Sequence, residues 1–402
     1  MVRILHFADL HLDRSFAGLS VAPSEAAKRR EELRAALRRI VDLAIELDVD
    51  ALTIGGDLYE HERAGPDTAN FLAGEFERLA PKRVLIAPGN HDPYIPDSLY
   101  WRLDWPANVH IFESMTWEPV ELSNSVTVWG AGHRGPAIRD NLLGSLQVHT
   151  NRTNIALVHA SDISAVPEGK PAHCPFSRED IERSGVDFAL LGHYHELRLR
   201  PQESPRYAYP GSPEPLDFAE SGDHHVLLLS TNGAGVTCEP RKINEVVYQT
   251  ATIDVTGMST SDSIRKAICE LAQDEVAARA IIRITLTGQP EPDLDLDLNA
   301  LLQSTHERFR YLDPIIDKTD PPFDLEQIEE ESTTRGAFVR LIQQQIAVAS
   351  PAELPTLQNA LHHGLRACQG AFIYGARRRL HAISSLQIWP GRLRVDGRPP
   401  AR

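Results

Sequence analysis

Thiol chemistry has almost nothing to work with in this sequence. Its four cysteines, Cys174, Cys238, Cys269 and Cys368, are far apart and form no CxxC pair. That spacing excludes a zinc ribbon and a thiol redox motif, and leaves reduced structural thiols. Long apolar runs are missing too: none approaches the roughly 20 residues that cross a bilayer. The opening "MVRILHFADLHLD" reaches charge and histidine before a signal-peptide h-region could form. The expected location is the cytoplasm, with no membrane partner. Positive charge is short as well, since 41 Lys and Arg face 56 Asp and Glu for a formal net charge of -15. This argues against a protein that grips nucleic acid over its whole surface. A local basic groove, or divalent metals that offset the carboxylates, stays open.

What is present reads as layered α/β structure. The 402 residues are long for one core and suggest two or three domains. Residues 1–245 alternate short β-branched or apolar runs with helical stretches, the pattern of an α/β domain. The first helix is the clearest. Ser24 is placed to cap it, and Leu33, Leu37, Ile40, Val41, Ala44 and Leu47 share one face. Lys28, Arg29, Arg30, Arg34, Arg38 and Arg39 on the other face read as solvated.

Residues 246–316 restart the pattern with "VVYQTATIDV", a helix through "SIRKAICELAQDEVAARA" and the strand "IIRITL". This is a small β-α-β unit. Within it "DLDLDL" fails as a calcium loop, because Leu298 stands where an EF-hand needs glycine. An edge strand with one solvated face is expected there. "DKTDPPFD" at 317–324 reads as a linker, and 325–390 as a helical region able to cover its own domain or dock a partner.

The chemistry sits at the ends of the apolar runs. Five of them pass directly into polar clusters: "RILHFADLHLD" delivers Asp9 and His11, "ALTIGGDLYE" Asp57, and "VLIAPGNHD" Asn90, His91 and Asp92. "NIALVHAS" adds His159, and "FALLGHYHE" adds His193 and His195. In an open α/β architecture the carboxyl ends of neighbouring strands share one rim, where ligands bind. Asp, Asn and His without thiolate suit divalent manganese, iron, zinc or magnesium. Asp9, His11, Asp57, Asn90, His159, His193 and His195 are too many for one tetrahedral ion, but suit two ions sharing a carboxylate. Asp9 and His11, like His193 and His195, project from one side if the strand pitch persists. Gly56, Gly89 and Gly192, just before the ligands, permit sharp turns and close backbone approach.

"GAGHRG" at 130–135 fits GxGxxG, but Pro136 follows and no acidic residue falls near the expected later position. It reads instead as a loop lining the site, with His133 and Arg134 as candidate substrate contacts.

The ordered motifs "ADLHLD", "GGDLYE", "PGNHD", "LVHAS" and "LGHYHE" resemble those of the calcineurin-like metallophosphoesterase superfamily. "HFADLHLD" and "YPGSPEPLDFAE" are similar to the SbcD and YhaO branch of DNA repair exonucleases, nuclease subunits of the double-strand-break repair complex family. The resemblance spans 1–245. It implies a four-layer sandwich of two stacked mixed β-sheets flanked by helices, a small α/β capping domain at 246–316, and a C-terminal helical segment. It implies two divalent ions, by family habit manganese, with magnesium or iron as substitutes. One ion takes Asp9, His11, Asp57 and His195; the other takes Asp57, Asn90, His159 and His193. His91 is then the phosphate-facing histidine, with Asp92 orienting it. Glu60 follows "GDLY" where some relatives carry a histidine that contacts nucleic acid. The implied activity is two-metal exonucleolytic hydrolysis of DNA. The implied partners are DNA, a coiled-coil ATPase of the SMC-like class and a second copy of the chain. The rival readings are a phosphoesterase of small phosphodiesters or cyclic nucleotides, a protein phosphatase, and a scaffold without catalysis.

Overall fold

The computed structural model describes residues 1–16, 23–166, 168–169, 171–231, 235–291, 294–320, 323–351 and 353–368. The run "VRILHF" forms the first strand, β1 (Val2–Phe7), at the heart of a six-stranded mixed sheet. It lies parallel to β2 (Ala51–Ile54), which pairs with β3 (Arg83–Ile86) and then β4 (Val109–Ile111). On its other side it runs antiparallel to β11 (His225–Thr231), which carries β12 (Val236–Lys242) at the edge. The second six-stranded sheet is also mixed, in the order β5 (Glu118–Ser123), β6 (Val126–Gly130), β7 (Thr153–His159), β8 (Phe188–Gly192), β10 (Tyr207–Tyr209), β9 (Arg198–Arg200).

Strand periodicity sorts the side chains into layers. Val2, Ile4, Ala51 and Leu85 of the first sheet meet Val128, Ile155, Leu157, Phe188 and Leu190 of the second in one buried interior. Leu5, Phe7, Leu52 and Ile54 face the opposite way, onto Leu33, Leu37, Ile40 and Val41 of the first helix. Ala156, Val158, Ala189 and Leu191 pack outward onto Leu142, Leu143 and Ile181. Each fully buried Leu, Ile, Val or Phe among them contributes about 2 kcal/mol. Helix, sheet, sheet and helix are the four layers.

The two sheets pinch together at their carboxyl rims. A Cβ on Gly192 would fall 2.2 Å from the Gly55 carbonyl oxygen, so only glycine permits the approach. His6, on the interior face of β1, bridges the same seam. Its Nδ1 lies 3.0 Å from Thr53 Oγ1 and its Nε2 3.1 Å from the Leu191 carbonyl.

Several local expectations need correction. The first helix begins at Pro23, so Ser24 is its second residue rather than its cap. Arg29 is not solvated: it is fully buried, donates to the Pro215 carbonyl at 2.8 Å and stacks over Tyr248. Its neighbours Arg34 and Arg38 pair with Asp67 and Glu31, which leaves that face a mosaic of ion pairs. The helix expected between "VVYQTATIDV" and "IIRITL" is two, Ser261–Leu271 and Glu275–Arg279. Asp274 caps the second by accepting from the Ala277 N–H at 2.9 Å. The described part of "DLDLDL" is no strand; Leu294 is buried and a helix starts at Leu298. Asp317 to Thr319 of the supposed linker lie in a strand, and Asp324 caps the helix Leu325–Glu329.

A third sheet holds β13 (Tyr248–Asp254), β14 (Ile281–Gly288) and β15 (Tyr311–Leu312) in that order, with β16 (Ile316–Thr319) on β14. The chain divides into two compact units. One comprises Met1–Ile253, Arg265–Thr285 and Leu298–Asp317; the other comprises Asp254–Ile264, Leu286–Asp297 and the residues from Lys318. In the second unit the helices Thr334–Ile346 and Leu354–Cys368 share a small core of Val339, Leu361 and Leu365 with Phe323 and Ile328. Residues 369–390 of the expected helical region lie outside the described residues. Among the described residues no helix is long and apolar enough to cross a membrane.

Candidate metal centre

Every delivery expected from the sequence reaches the pinched rim. β1, β2 and β3 bring Asp9, His11, Asp57, Asn90 and His91 from the first sheet; β7 and β8 bring His159, His193 and His195 from the second. The ligand pairs do not continue strand pitch. β1 ends at Phe7 and β8 at Gly192, and the backbone then turns left-handed at Asp9 (φ 56°), His11 (φ 51°), Asp57 (φ 51°) and His193 (φ 116°). Asp and His tolerate this region better than most residues, and such strain concentrates at sites where the surroundings over-determine it. Here they do: Asp9 N–H donates to the Gly56 carbonyl at 3.0 Å and His11 N–H to the Asp57 carbonyl at 2.9 Å. The flanking glycines make room for neighbouring strands. A Cβ on Gly89 would sit 2.3 Å from Asp57 Oδ1, and one on Gly56 2.7 Å from His159 Nδ1.

The side chains converge tightly. Asp9, His11 and His195 offer ligand atoms within 4.8 Å of one another, as do Asp9, Asp57 and His159, and also His11, Asp57 and His91. Asn90 Oδ1 lies 3.0 Å and Asp57 Oδ2 3.4 Å from His159 Nε2. His193 stands beside His159 with ring centroids 5.2 Å apart, and its N–H donates to both oxygens of Asp9.

The imidazoles are oriented from behind. His11 Nδ1 is 2.9 Å from Glu60 Oε1, His195 Nδ1 is 2.6 Å from Glu220 Oε1, and His159 Nδ1 donates to the Gly55 carbonyl at 2.8 Å. With each Nδ1 proton committed, the Nε2 lone pairs must point inward. Those of His11 and His195 meet at 3.3 Å, and that of His159 faces the oxygens of Asn90 and Asp57. Lone pairs set against lone pairs repel unless a proton or cation lies between them. Carboxylate-backed imidazoles with buried carboxylates are the donor set that divalent metals select. The residues present therefore fit the metals that the motifs imply.

Electrostatics agree. Burial pushes the Asp9 carboxyl up to about 7 despite His195 beside it. Burial acts the same way on Asp57, but His159, His11 and His91 outweigh it and hold that carboxyl well below its usual range. His159 is pushed down to about 3 by burial, and His193 to about 3 by burial and by the charge of His159. Neutral imidazoles at His159 and His193 beside the ionised Asp57 are what a cation requires, whereas His195, lowered by burial, is lifted to about 9 by Glu220 and Asp9.

His91 and Asp92 diverge from expectation. Asp92 does not orient His91. It is fully buried and accepts from the Asp57, Leu58 and Gly89 amides at 3.0, 2.7 and 2.6 Å and from the Tyr100 hydroxyl at 2.7 Å. It thus fixes the backbone that presents Asp57. The group that holds His91 is Glu60, whose Oε2 lies 2.9 Å from His91 Nδ1. That hydrogen bond chiefly lifts His91 to about 9. His133 is likewise no substrate contact: it is fully buried, with Nε2 on the His159 carbonyl at 2.7 Å. Arg134 is exposed, and stacks over Tyr94 at 5.4 Å.

Glu220 was not foreseen. It lies in "YPGSPEPLDFAE", where no local pattern marks it, and its second oxygen is held by Ser212 Oγ and the Leu216 amide.

Residues 2–197 match the family model of the calcineurin-like phosphoesterases. The uncharacterized metallophosphoesterase YhaO of Bacillus subtilis is 27% identical over 333 residues, spanning 77% of this chain and 80% of the relative. The DNA double-strand break repair protein Mre11 of Methanopyrus kandleri is 23% identical over 383 residues, spanning 85% of this chain and 78% of the relative. Among solved structures, a Thermus thermophilus protein matches at 15% identity and a TM-score of 0.36, over 60% of this chain and 99% of its own.

Proposed function

Since residues 2–197 are a calcineurin-like metallophosphoesterase domain, we propose that the protein hydrolyses DNA phosphodiester bonds as a metal-dependent exonuclease. The observation that carries this is the convergence of Asp9, His11, Asp57, Asn90, His159, His193 and His195 on one rim, with His91 poised beside them. Alignment with an archaeal Mre11 across most of the chain supports DNA as substrate.

In this reading Asp9, His11, Asp57 and His195 hold one ion and Asp57, Asn90, His159 and His193 the other, with Asp57 shared. Manganese is favoured, with magnesium or iron as alternatives. Divalent ions held by these residues would supply Lewis acidity and a more acidic water, and would remove the need for a serine or cysteine nucleophile. His91 does the remaining proton work. Glu60 keeps it protonated near neutrality, so its imidazolium donates to the departing 3'-oxygen. The other wall of the recess over His91 comes from Glu62, Pro93, Ile95 and Pro136, and its volume is about 430 Å³.

The segment 246–316 is proposed as the cap that admits DNA, and 325–390 as the docking region for an SMC-like coiled-coil ATPase, with a homodimer as the working form in the cytoplasm. The acidity of the chain fits a nuclease that relies on bound metals and a partner for phosphate neutralisation.

The deciding experiment is digestion of end-labelled linear duplex DNA with manganese, run beside a chromogenic phosphodiester, with Asp57→Ala as the blank. Metal-dependent shortening that the variant lacks upholds the nuclease. Turnover of the small diester with intact DNA, even after the ATPase is added, replaces it with a small-phosphodiester enzyme.

A further inference from the structure

His173 belongs to none of the motifs that deliver the centre, yet it stands over the His193 half of it. Its ring packs against His193 with centroids 5.5 Å apart, tilted by 56°. The loop that carries it is stitched to the end of β7. His173 N–H donates to Ser161 Oγ at 2.9 Å, and Ser161 N–H donates back to the His173 carbonyl at 2.8 Å. Phe176 N–H closes on the Ser161 carbonyl at 3.0 Å. Ser161 follows His159 by two residues, so the imidazole is tied to the strand end that delivers His159. The next residue, Cys174, is held at φ 47° with its N–H on the Ile138 carbonyl at 2.8 Å. A left-handed cysteine is strained backbone, which persists where the fold holds it in place.

The polar capacity of this ring is not committed. His11, His91, His159 and His195 each have Nδ1 on a carboxylate or carbonyl, which fixes their tautomers. The Nδ1 of His173 is buried and has no hydrogen-bond partner among the described residues, while the residue as a whole is only half-buried. An orphaned ring nitrogen is costly and calls for an explanation.

We propose that His173 is a substrate-binding residue, donating a hydrogen bond to a non-bridging oxygen of the scissile phosphodiester from the His193 side while His91 addresses the phosphate from the Glu60 side. The proposal rests on the phosphodiesterase reading above. A ring N–H on the open edge of the half-buried imidazole that meets an anionic oxygen gains a charge-assisted bond, stronger than a neutral pair. It would do so on substrate, inorganic phosphate or phosphate-ended product alike.

The test uses the full-length, manganese-loaded protein and His173→Ala, His173→Phe and His173→Gln. Metal content is read by elemental analysis, binding of inorganic phosphate by calorimetry, and kcat and KM with a chromogenic phosphodiester. The expected result is unchanged metal content in all three. Phosphate affinity falls about tenfold in the Ala and Phe variants, with KM rising to match. His173→Gln recovers most of the affinity, because its amide still donates. His173→Phe and His173→Gln preserve volume if His173→Ala fails to fold. Loss of an ion from any variant overturns the proposal in favour of a ligand role. Wild-type phosphate affinity and KM in the Ala and Phe variants overturn it in favour of packing, and so does a Gln variant no better than Phe. If the wild-type protein turns over neither DNA nor the small diester, the phosphodiesterase reading falls and takes this one with it. If wild type is active and the variants match it, only the role of His173 falls.

Discussion

Glu60 holds two imidazoles at once, with Oε1 2.9 Å from His11 Nδ1 and Oε2 2.9 Å from His91 Nδ1. One carboxylate therefore orients a proposed metal ligand and the proposed proton donor together. Glu60→Gln keeps the shape but supplies one acceptor and one donor, so one of the two bonds must fail. Turnover of a small phosphodiester should drop about 10- to 100-fold. His91→Ala should cause a similar loss with metal content intact. Because the two act as a unit, the double variant should be scarcely worse than either single one. Additive losses in kcat would separate Glu60 from His91.

Glu220 backs His195 at 2.6 Å and is itself held by Ser212 and Leu216. Glu220→Gln should weaken one metal site about 10- to 100-fold and spare the other. A chelator titration resolves this: one ion should leave at lower chelator concentration than in wild type. Simultaneous loss of both would contradict an effect confined to His195.

A Cβ at Gly89 meets Asp57 Oδ1 at 2.3 Å. Gly89→Ala should therefore displace the shared carboxylate and strip the protein of metal while leaving its circular dichroism native. Full metal content in that variant would mean that the loop yields, and that glycine there is a convenience.

His6 supplies a pH effect away from the ligands. Burial pushes it down to about 4, against hydrogen bonds to the Leu191 carbonyl and with Thr53 that act the other way. The unfolded chain takes up that proton near pH 6.5, before the folded one does. Its stability contribution is thus whole above pH 6.5 and fades as pH falls towards 4. At pH 5 the loss amounts to about 2 kcal/mol for this group. Urea unfolding of metal-free protein at pH 7 and pH 5 should show a smaller pH difference for His6→Asn than for wild type. Equal differences would place the acid sensitivity elsewhere.

The convergence at the rim was legible in the sequence because each candidate ligand ends an apolar run, and the runs recur in a fixed order. Strand ends share a rim, so Asp9, Asp57, His159 and His193 could be brought together without knowing the strand order. What the pattern does not reveal is what lies behind the ligands. Glu220 reaches His195 across 25 residues, and His173 reaches the rim through backbone bonds to Ser161; neither contact leaves a period in the sequence. The failure over Asp92 is instructive, because adjacency suggested a partner for His91 where the structure uses Asp92 to tie down amides. The helix from "SIRKAICELAQDEVAARA" broke at Asp274 because an aspartate there serves better as a cap than in a helix interior. "DLDLDL" alternates as a strand would, but its described residues 294–297 form none.

The closeness of Gly55 and Gly192 makes the seam between the sheets a matter of timing as well as of space. Asp9, His11, Asp57 and Asn90 arrive on one sheet and His159, His193 and His195 on the other, so a chain with only one sheet formed owns half a nest. Ions held by residues of both sheets would lock that seam, as rivets set through two aligned plates. Stripping the ions should thus leave the plates standing and loosen the rivet line. Amide exchange on chelation should quicken first at the seam, around Gly55, Ala160 and Gly192, before the strand interiors register any change.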